Sequence, residues 1–209
     1  MRTKRIIVIC EGETEQEFCK ILARSLNIKI DTPKLGGNCS WERIKPIITK
    51  QIKSDTTATC VTTFIDYYGL KNPKGFPLWE DAHKINDKSQ VIDRLEEGMK
   101  IEIEDERFIP YLQLHEFEAL LFSDYGKVAN NGLIDIDNAK ELKKIIDENP
   151  NPETINNNTE TSPAHRLEKI IKGYDKILYG SLLAEAVGLE KIREKNPRFN
   201  AWLEKLESL

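Results

Sequence analysis

The segment Arg5-Ile6-Ile7-Val8-Ile9-Cys10-Glu11-Gly12-Glu13-Thr14-Glu15 constrains the fold more than any other part of the chain. A short unbroken run rich in Ile and Val reads as a strand buried on both faces, and it stops on a carboxylate and a glycine where a helical pattern begins. A second run, Cys60-Val61-Thr62-Thr63-Phe64-Ile65, ends the same way on Asp66, followed by Tyr67-Tyr68-Gly69. Open α/β sheets build their ligand sites outside the carboxyl ends of strands. Glu11 and Asp66 are therefore expected on one rim, which suits a divalent metal acting on phosphate.

Apolar periodicity extends the alternation: strand near 5–10, helix 14–26, short strand 28–31, helix 41–53, strand 58–66. Such alternation predicts an α/β fold with a mostly parallel four-stranded sheet flanked by helices. A polar helix over 81–99 and a fourth strand over 107–114 complete the predicted core, and His115 opens the next helix. Residues 149–162 are rich in Asn, Pro and Thr and lack an apolar period, so they read as a long loop or mobile insertion, suited to a flexible lid. From Pro163 onward short amphipathic helices are broken at Gly173, Gly180, Gly188 and Pro197. The expected organisation is a core over 1–125 and a helical extension over 126–209, packed together as one unit.

A chain of 209 residues supports one well-buried domain with an appendage rather than two full enzymatic domains. No run approaches the roughly 20 apolar residues of a membrane span. The N-terminal apolar run leads into acids without a small-residue cleavage site, which reads against a signal peptide and for the cytoplasm. The four cysteines, Cys10, Cys19, Cys39 and Cys60, have no zinc-like spacing and read as free structural thiols. A net charge of -4 argues against coating nucleic acid through bulk electrostatics, so any nucleic-acid contact has to be local. Basic residues from Arg166 onward, Lys176 among them, are interleaved with acids and read first as a solvated helix surface.

Thr14 and Glu17 have capping-box spacing, which predicts Thr14 as the N-cap of the first helix. Glu13 and Glu17 read as complements to the helix dipole. Glu15 shares the face of Phe18, Ile21 and Leu22 and is expected to point toward the sheet rim. Asp66 is either a turn former or a partner of Glu11, and Gly69 allows a sharp turn just beyond it. The run Leu112-Gln113-Leu114-His115-Glu116-Phe117-Glu118-Ala119-Leu120-Leu121-Phe122 adds more acids past a strand. Read as a helix, it buries Phe117, Leu120 and Leu121 while His115 and Glu118 share the other face. His115 is then a capping residue or a metal ligand, and Glu116 or Glu118 a further ligand. The signatures of P-loop, dinucleotide-binding and α/β-hydrolase sites are missing, which leaves metal-assisted phosphate chemistry.

These segments resemble the Toprim superfamily, and most closely an uncharacterised Toprim-related bacterial family. Glu11-Gly12-Glu13-Thr14-Glu15 is similar to its E-G-x-T-E opening, Asp66-Tyr67-Tyr68-Gly69 to its D-x-Y-G, and His115 to Phe122 to its H-E-F-E-A-L-L-F. Ser162-Pro163, Tyr179-Gly180 and Val187-Gly188-Leu189 extend the likeness over nearly the whole chain. The resemblance implies a Toprim-like sheet and acid/base or metal roles for Glu11 and Asp66. It also implies Mg2+ or Mn2+ as cofactor, a nuclease acting on DNA or RNA, and a partner ATPase in a phage-defence or mobile-element setting. The chain departs at Tyr68, which stands where Toprim enzymes carry a second aspartate, so Glu15, Glu116 or Glu118 has to supply the missing carboxylate. His115, Ser162, Arg166 and Lys176 are the candidate substrate-binding residues. The alternative is a non-catalytic module that binds the ATPase or a nucleic acid.

Overall fold

The computed structural model describes residues 4–209 other than Asn131, Leu133, Asn156, Asn157 and Thr159. The chain forms two compact units, one of residues up to Leu114 with Leu206–Leu209, the other His115–Lys205. The sequence reading set its boundary after residue 125; the two compact units divide after Leu114. Among the described residues no helix is long and apolar enough to cross a membrane.

The first unit runs β1 (Arg5–Cys10), α1 (Glu13–Leu26), β2 (Lys29–Asp31), α2 (Trp41–Ser54), β3 (Cys60–Asp66), α3 (Trp79–Ala82), α4 (Lys88–Ile103), β4 (Phe108–Ile109) and β5 (Leu112–Gln113). The sheet order is β2-β1-β3-β4, with β5 also pairing β3, and every pairing is parallel. The expected parallel α/β sheet is therefore present, and its apolar strands explain it: all seven residues of β3 and five of six in β1 are buried. Residues alternate between two faces, as a period of two requires. Ile7, Ile9, Val61 and Ile65 join a core with Trp41, Ile44 and Ile48 of α2 and Val91, Ile92, Leu95 and Met99 of α4. On α1 the apolar stripe Phe18, Cys19, Ile21 and Leu22 is buried; Phe18 meets Phe64 with ring centroids 5.8 Å apart, and the Cys19 Sγ lies 3.8 Å from that of Cys10.

The predicted fourth strand is interrupted. Pro110 has no N–H to give a ladder, and the break between β4 and β5 is bridged by buried threonine hydroxyls. Thr62 Oγ1 donates to the Ile109 carbonyl, and Thr63 Oγ1 both donates to Tyr111 O (2.8 Å) and accepts from Tyr111 N (3.0 Å).

The second unit holds a 3-10 segment (Phe117–Ser123), α5 (Tyr125–Ala129), α6 (Ile136–Glu148), a 3-10 turn (Pro152–Thr154), α7 (Pro163–Ile170), α8 (Lys176–Val187), α9 (Leu189–Lys195) and most of α10 (Pro197–Glu207). The segment expected to be a helix with a polar face is instead a 3-10 run whose seven residues are all buried, in contact with α7, α8 and α9. Glu118 is enclosed with the apolar residues, so the segment presents no polar face to solvent. His115 does not open it: that residue has φ 68°, in the left-handed region, and Glu116 precedes the first turn.

Of the predicted loop over 149–162, Asn156, Asn157 and Thr159 lie outside the described residues. The remainder is anchored rather than lid-like at Glu153 (1% exposed) and Ile155 (0%). Glu153 Oε1 and Oε2 accept from the backbone N–H groups of Phe199 (2.9 Å) and Arg198 (3.0 Å). It thereby satisfies donors that the first turn of α10 cannot use internally.

Candidate functional site

In the first unit the chain goes from β1 through α1 to β2 on one side of β1, then through α2 to β3 on the other. The reversal makes the crevice between the carboxyl ends of β1 and β3 the topological switch point of the sheet, where ligand sites of open α/β folds lie. The register pairs Cys10 with Phe64, so Glu11 and Asp66 leave adjacent strands at nearly the same level. Glu11 Oε2 accepts from the backbone N of Asp66 at 3.3 Å. The two acids singled out from the sequence are therefore neighbours, and Asp66 is 5% exposed.

Glu15 joins this rim from α1, but by a different cap from the one expected. Gly12 rather than Thr14 is the N-cap, and the Glu15 carboxylate reaches back to accept from Gly12 N at 2.8 Å. A carboxylate in this position lies at the positive end of the α1 dipole. Glu13 and Glu17 pair at the surface with Lys34 and Lys20, each at 2.6 Å, and of the two only Glu13 lies in the first turn of α1, where the helix dipole acts.

Two residues that sequence reasoning gave ordinary roles complete the arrangement. Cys39 is fully buried; burial first, then the nearby charges of Glu11, Asp66 and Glu15, push its thiol far above its ordinary value of 9.0. Gly69 was expected to serve a sharp turn, yet its φ is not in the left-handed region. A Cβ there would stand 2.2 Å from Glu11 Oε2 and 2.5 Å from Oε1, so the glycine is needed for the space the carboxylate occupies. Spacing gave no hint of Cys39, which comes from the loop between β2 and α2. Just beyond Asp66, Tyr68 is 38% exposed and its ring lies 5.7 Å from that of Tyr67, over which Lys88 Nζ sits at 5.9 Å.

Glu116, Glu118, His115, Ser162, Arg166 and Lys176 belong to the second unit, and all but His115 are seen with partners there. Glu116 Oε2 accepts from Ala164 N (3.0 Å) at the start of α7, and Ser162 caps the same helix through His165 N (3.4 Å). Arg166 Nε donates to Thr161 O at 2.7 Å. His115 is 4% exposed. Glu118 is fully buried and forms an ion pair with Lys176 Nζ at 3.1 Å. Burial outweighs that ammonium and carries its carboxyl from 4.5 to about 7, with the Glu116 charge adding in the same direction. The buried Tyr174 hydroxyl, close enough to feel Glu118, Glu168 and Glu116, is pushed far above its ordinary value, chiefly by burial. Capping and pairing thus account for Glu116, Glu118, Ser162, Arg166 and Lys176, five of the nine candidate site residues.

Among the described residues no group of three or more His, Cys, Asp or Glu side chains is arranged to hold a metal ion. No curated protein and no solved structure matches the chain. A family model described as a domain of unknown function, DUF4276, matches residues 10–207, from the last residue of β1 to the last of α10, and the chain belongs to that family.

Proposed function

We propose that the protein is a divalent-metal-dependent nuclease of Toprim type, with Glu11 and Asp66 as its central acids. The observation that carries this reading is the hydrogen bond from the Asp66 backbone N–H to the Glu11 carboxylate at the switch point between β1 and β3. The donor set fits Mg2+ or Mn2+: hard cations prefer oxygen, and Mg2+ is commonly held by one or two carboxylates together with waters and substrate phosphates rather than by an all-protein cage. That preference accommodates a site without three clustered ligands. When bound, such a metal would activate water and offset charge on the scissile phosphate.

The chain's own contribution is orientation. The Asp66 N–H holds Glu11 by a hydrogen bond, Glu15 is tied back to Gly12, and Asp66 stays nearly enclosed on a central strand. Glu11 and Asp66 are the residues that would hold the metal, with Glu15 at its edge. The test is cleavage of supercoiled DNA, linear DNA and RNA with Mg2+, Mn2+ or EDTA. The reading requires metal-dependent cutting that Glu11→Gln and Asp66→Ala both lose; cutting that survives in both variants refutes it.

A second reading is favoured by Tyr68, which puts a phenol where a Toprim enzyme would carry its second aspartate. In that case the same rim binds a nucleic acid or a partner ATPase without cleaving. A folded wild-type protein that cuts none of these substrates with either metal, yet retains nucleic acid on a native gel, supports it.

A further inference from the structure

We infer that Tyr68 is a stacking platform for an unpaired base and that the rim takes single-stranded nucleic acid, with Lys71, Lys74 and Lys88 as its phosphate contacts. The inference deepens the nucleic-acid reading of the rim and rests on it, whether or not the strand is cut there.

Backbone pairing sets the ring beside the acids. Asp66 ends β3, and the single 3-10 turn Tyr67–Gly69 follows it directly; the chain then pairs at Leu70 with Cys39, and Lys71 N donates to Cys39 O at 3.3 Å. Tyr68 therefore stands two residues beyond Asp66 and one before Gly69, whose Cα approaches the Glu11 carboxylate so closely that a Cβ would lie 2.2 Å from Oε2. Tyr67 is half-buried against the core of the first unit, and the Tyr68 ring lies 5.7 Å from it at an interplanar angle of 58°. One tyrosine anchors the turn while the next stands at the surface. Among the described residues Tyr68 is the one exposed aromatic side chain.

The charge around the ring is positive, although the whole chain carries -4. Residues 67–79 hold Lys71 and Lys74 and no acid. Both lysines are exposed, as is Lys88, the first residue of α4, whose Nζ sits 5.9 Å from the centre of the Tyr67 ring. Among the described residues none of these three ammonium groups has an ion-pair partner. Acids near them in the chain are engaged elsewhere: Asp81 pairs with Arg94 (3.1 Å), and Asp87 accepts from Gln90 N (2.9 Å). Glu42 of α2 accepts from Asn72 Nδ2 (3.1 Å), and Glu80 is exposed on α3.

An exposed ring flanked by uncompensated ammonium groups matches a strand in which bases alternate with phosphates. Stacking on aromatic side chains is sequence-tolerant, because every base has a π-face, and lysines track the backbone. A duplex keeps its bases stacked on one another, whereas an unpaired base can be splayed onto a protein ring. The platform therefore selects single strands, and its local charge meets the requirement that an acidic chain contact nucleic acid only locally.

The experiment uses the full chain in EDTA, so that no strand is cut, and follows the fluorescence anisotropy of labelled oligo(dT), oligo(U) and blunt duplex DNA of equal length. Wild type should bind the single strands more tightly than the duplex, and the tighter of the two identifies DNA or RNA as the source. Tyr68→Ala should weaken single-strand binding by about fivefold or more, and Tyr68→Phe should keep wild-type affinity, since stacking needs the ring and not the hydroxyl. In Lys71→Gln and Lys74→Gln the slope of log affinity against log salt should shrink by about 0.7 for each charge removed. Thermal denaturation establishes that each variant folds. Wild-type affinity in Tyr68→Ala, or an equal loss in Tyr68→Phe, refutes the platform and leaves the rim standing as a nucleic-acid site. Tighter binding of the duplex than of either single strand overturns the choice of substrate. A wild-type protein that binds none of the three overturns this inference together with the reading it rests on.

Discussion

Glu118→Gln should make the protein more stable at alkaline pH and leave it unchanged in acid. Glu118 is enclosed in the second unit, and its carboxyl titrates near 7 rather than at 4.5, because burial of the charge costs more than Lys176 at 3.1 Å returns. The folded chain therefore holds a proton there that the unfolded chain has already released between pH 4.5 and 7. Stability must fall as pH rises through that window, since the native state binds more protons than the unfolded one. At about 1.4 kcal/mol for each tenfold in proton affinity, the full penalty above pH 7 is about 3 kcal/mol. Glutamine copies the neutral carboxyl in size and cannot ionise, and the Lys176 side chain is 43% exposed, so water solvates it once its partner is neutral. Urea denaturation of both proteins at pH 4.5 and 8.5 reads the effect. The variant should gain about 3 kcal/mol at pH 8.5 and under about 1 kcal/mol at pH 4.5. A variant less stable than wild type at pH 8.5 would show that the ion pair outweighs burial, and the argument would fail.

Glu153→Ala should cost about 2 to 4 kcal/mol in chemical denaturation, because it leaves the buried N–H of Phe199 and its neighbour at Arg198 without their acceptors; a loss below about 0.5 kcal/mol would remove Glu153 as the cap of α10. Gly98→Ala should destabilise by about 1 to 3 kcal/mol, since its Cβ would meet the Pro77 carbonyl oxygen at 2.6 Å and backbone cannot swing aside as a side chain can. An unchanged melting temperature would show that α4 tolerates the shift. Mg2+ or Mn2+ at ten times its Kd should stabilise the wild type by about 1.4 kcal/mol by mass action. In Asp66→Ala that increment should vanish, and its persistence in a thermal-shift titration would place the metal elsewhere.

The parallel sheet and the pairing of Glu11 with Asp66 were legible because both rest on local pattern. Runs such as Ile6–Cys10 and Cys60–Ile65 can be buried only as central strands, and central parallel strands bring their carboxyl ends together. The interruption at Pro110 was visible as a residue without an N–H, but its repair by the Thr62 and Thr63 hydroxyls was not. His115–Phe122 misled because its apolar spacing fits an α-helix, whereas the segment is enclosed on all sides and winds as a 3-10 run. In the 149–162 segment the polar composition was real, yet Glu153 is buried because it accepts from a helix that begins over forty residues later. Ser162, Arg166 and Lys176 looked like ligand groups, and in the structure they cap or pair within their own unit.

By itself the sequence determined the class of fold and the rim on which the acids meet, since burial of alternating apolar runs leaves a chain with few other choices. Only the tertiary structure decided why Gly69 is a glycine and that burial carries the Glu118 carboxyl up to about 7. Each of these depends on atoms from distant parts of the chain meeting within a few ångströms. Steric overlap, hydrogen bonding and desolvation act at that range, and no spacing along the chain encodes it.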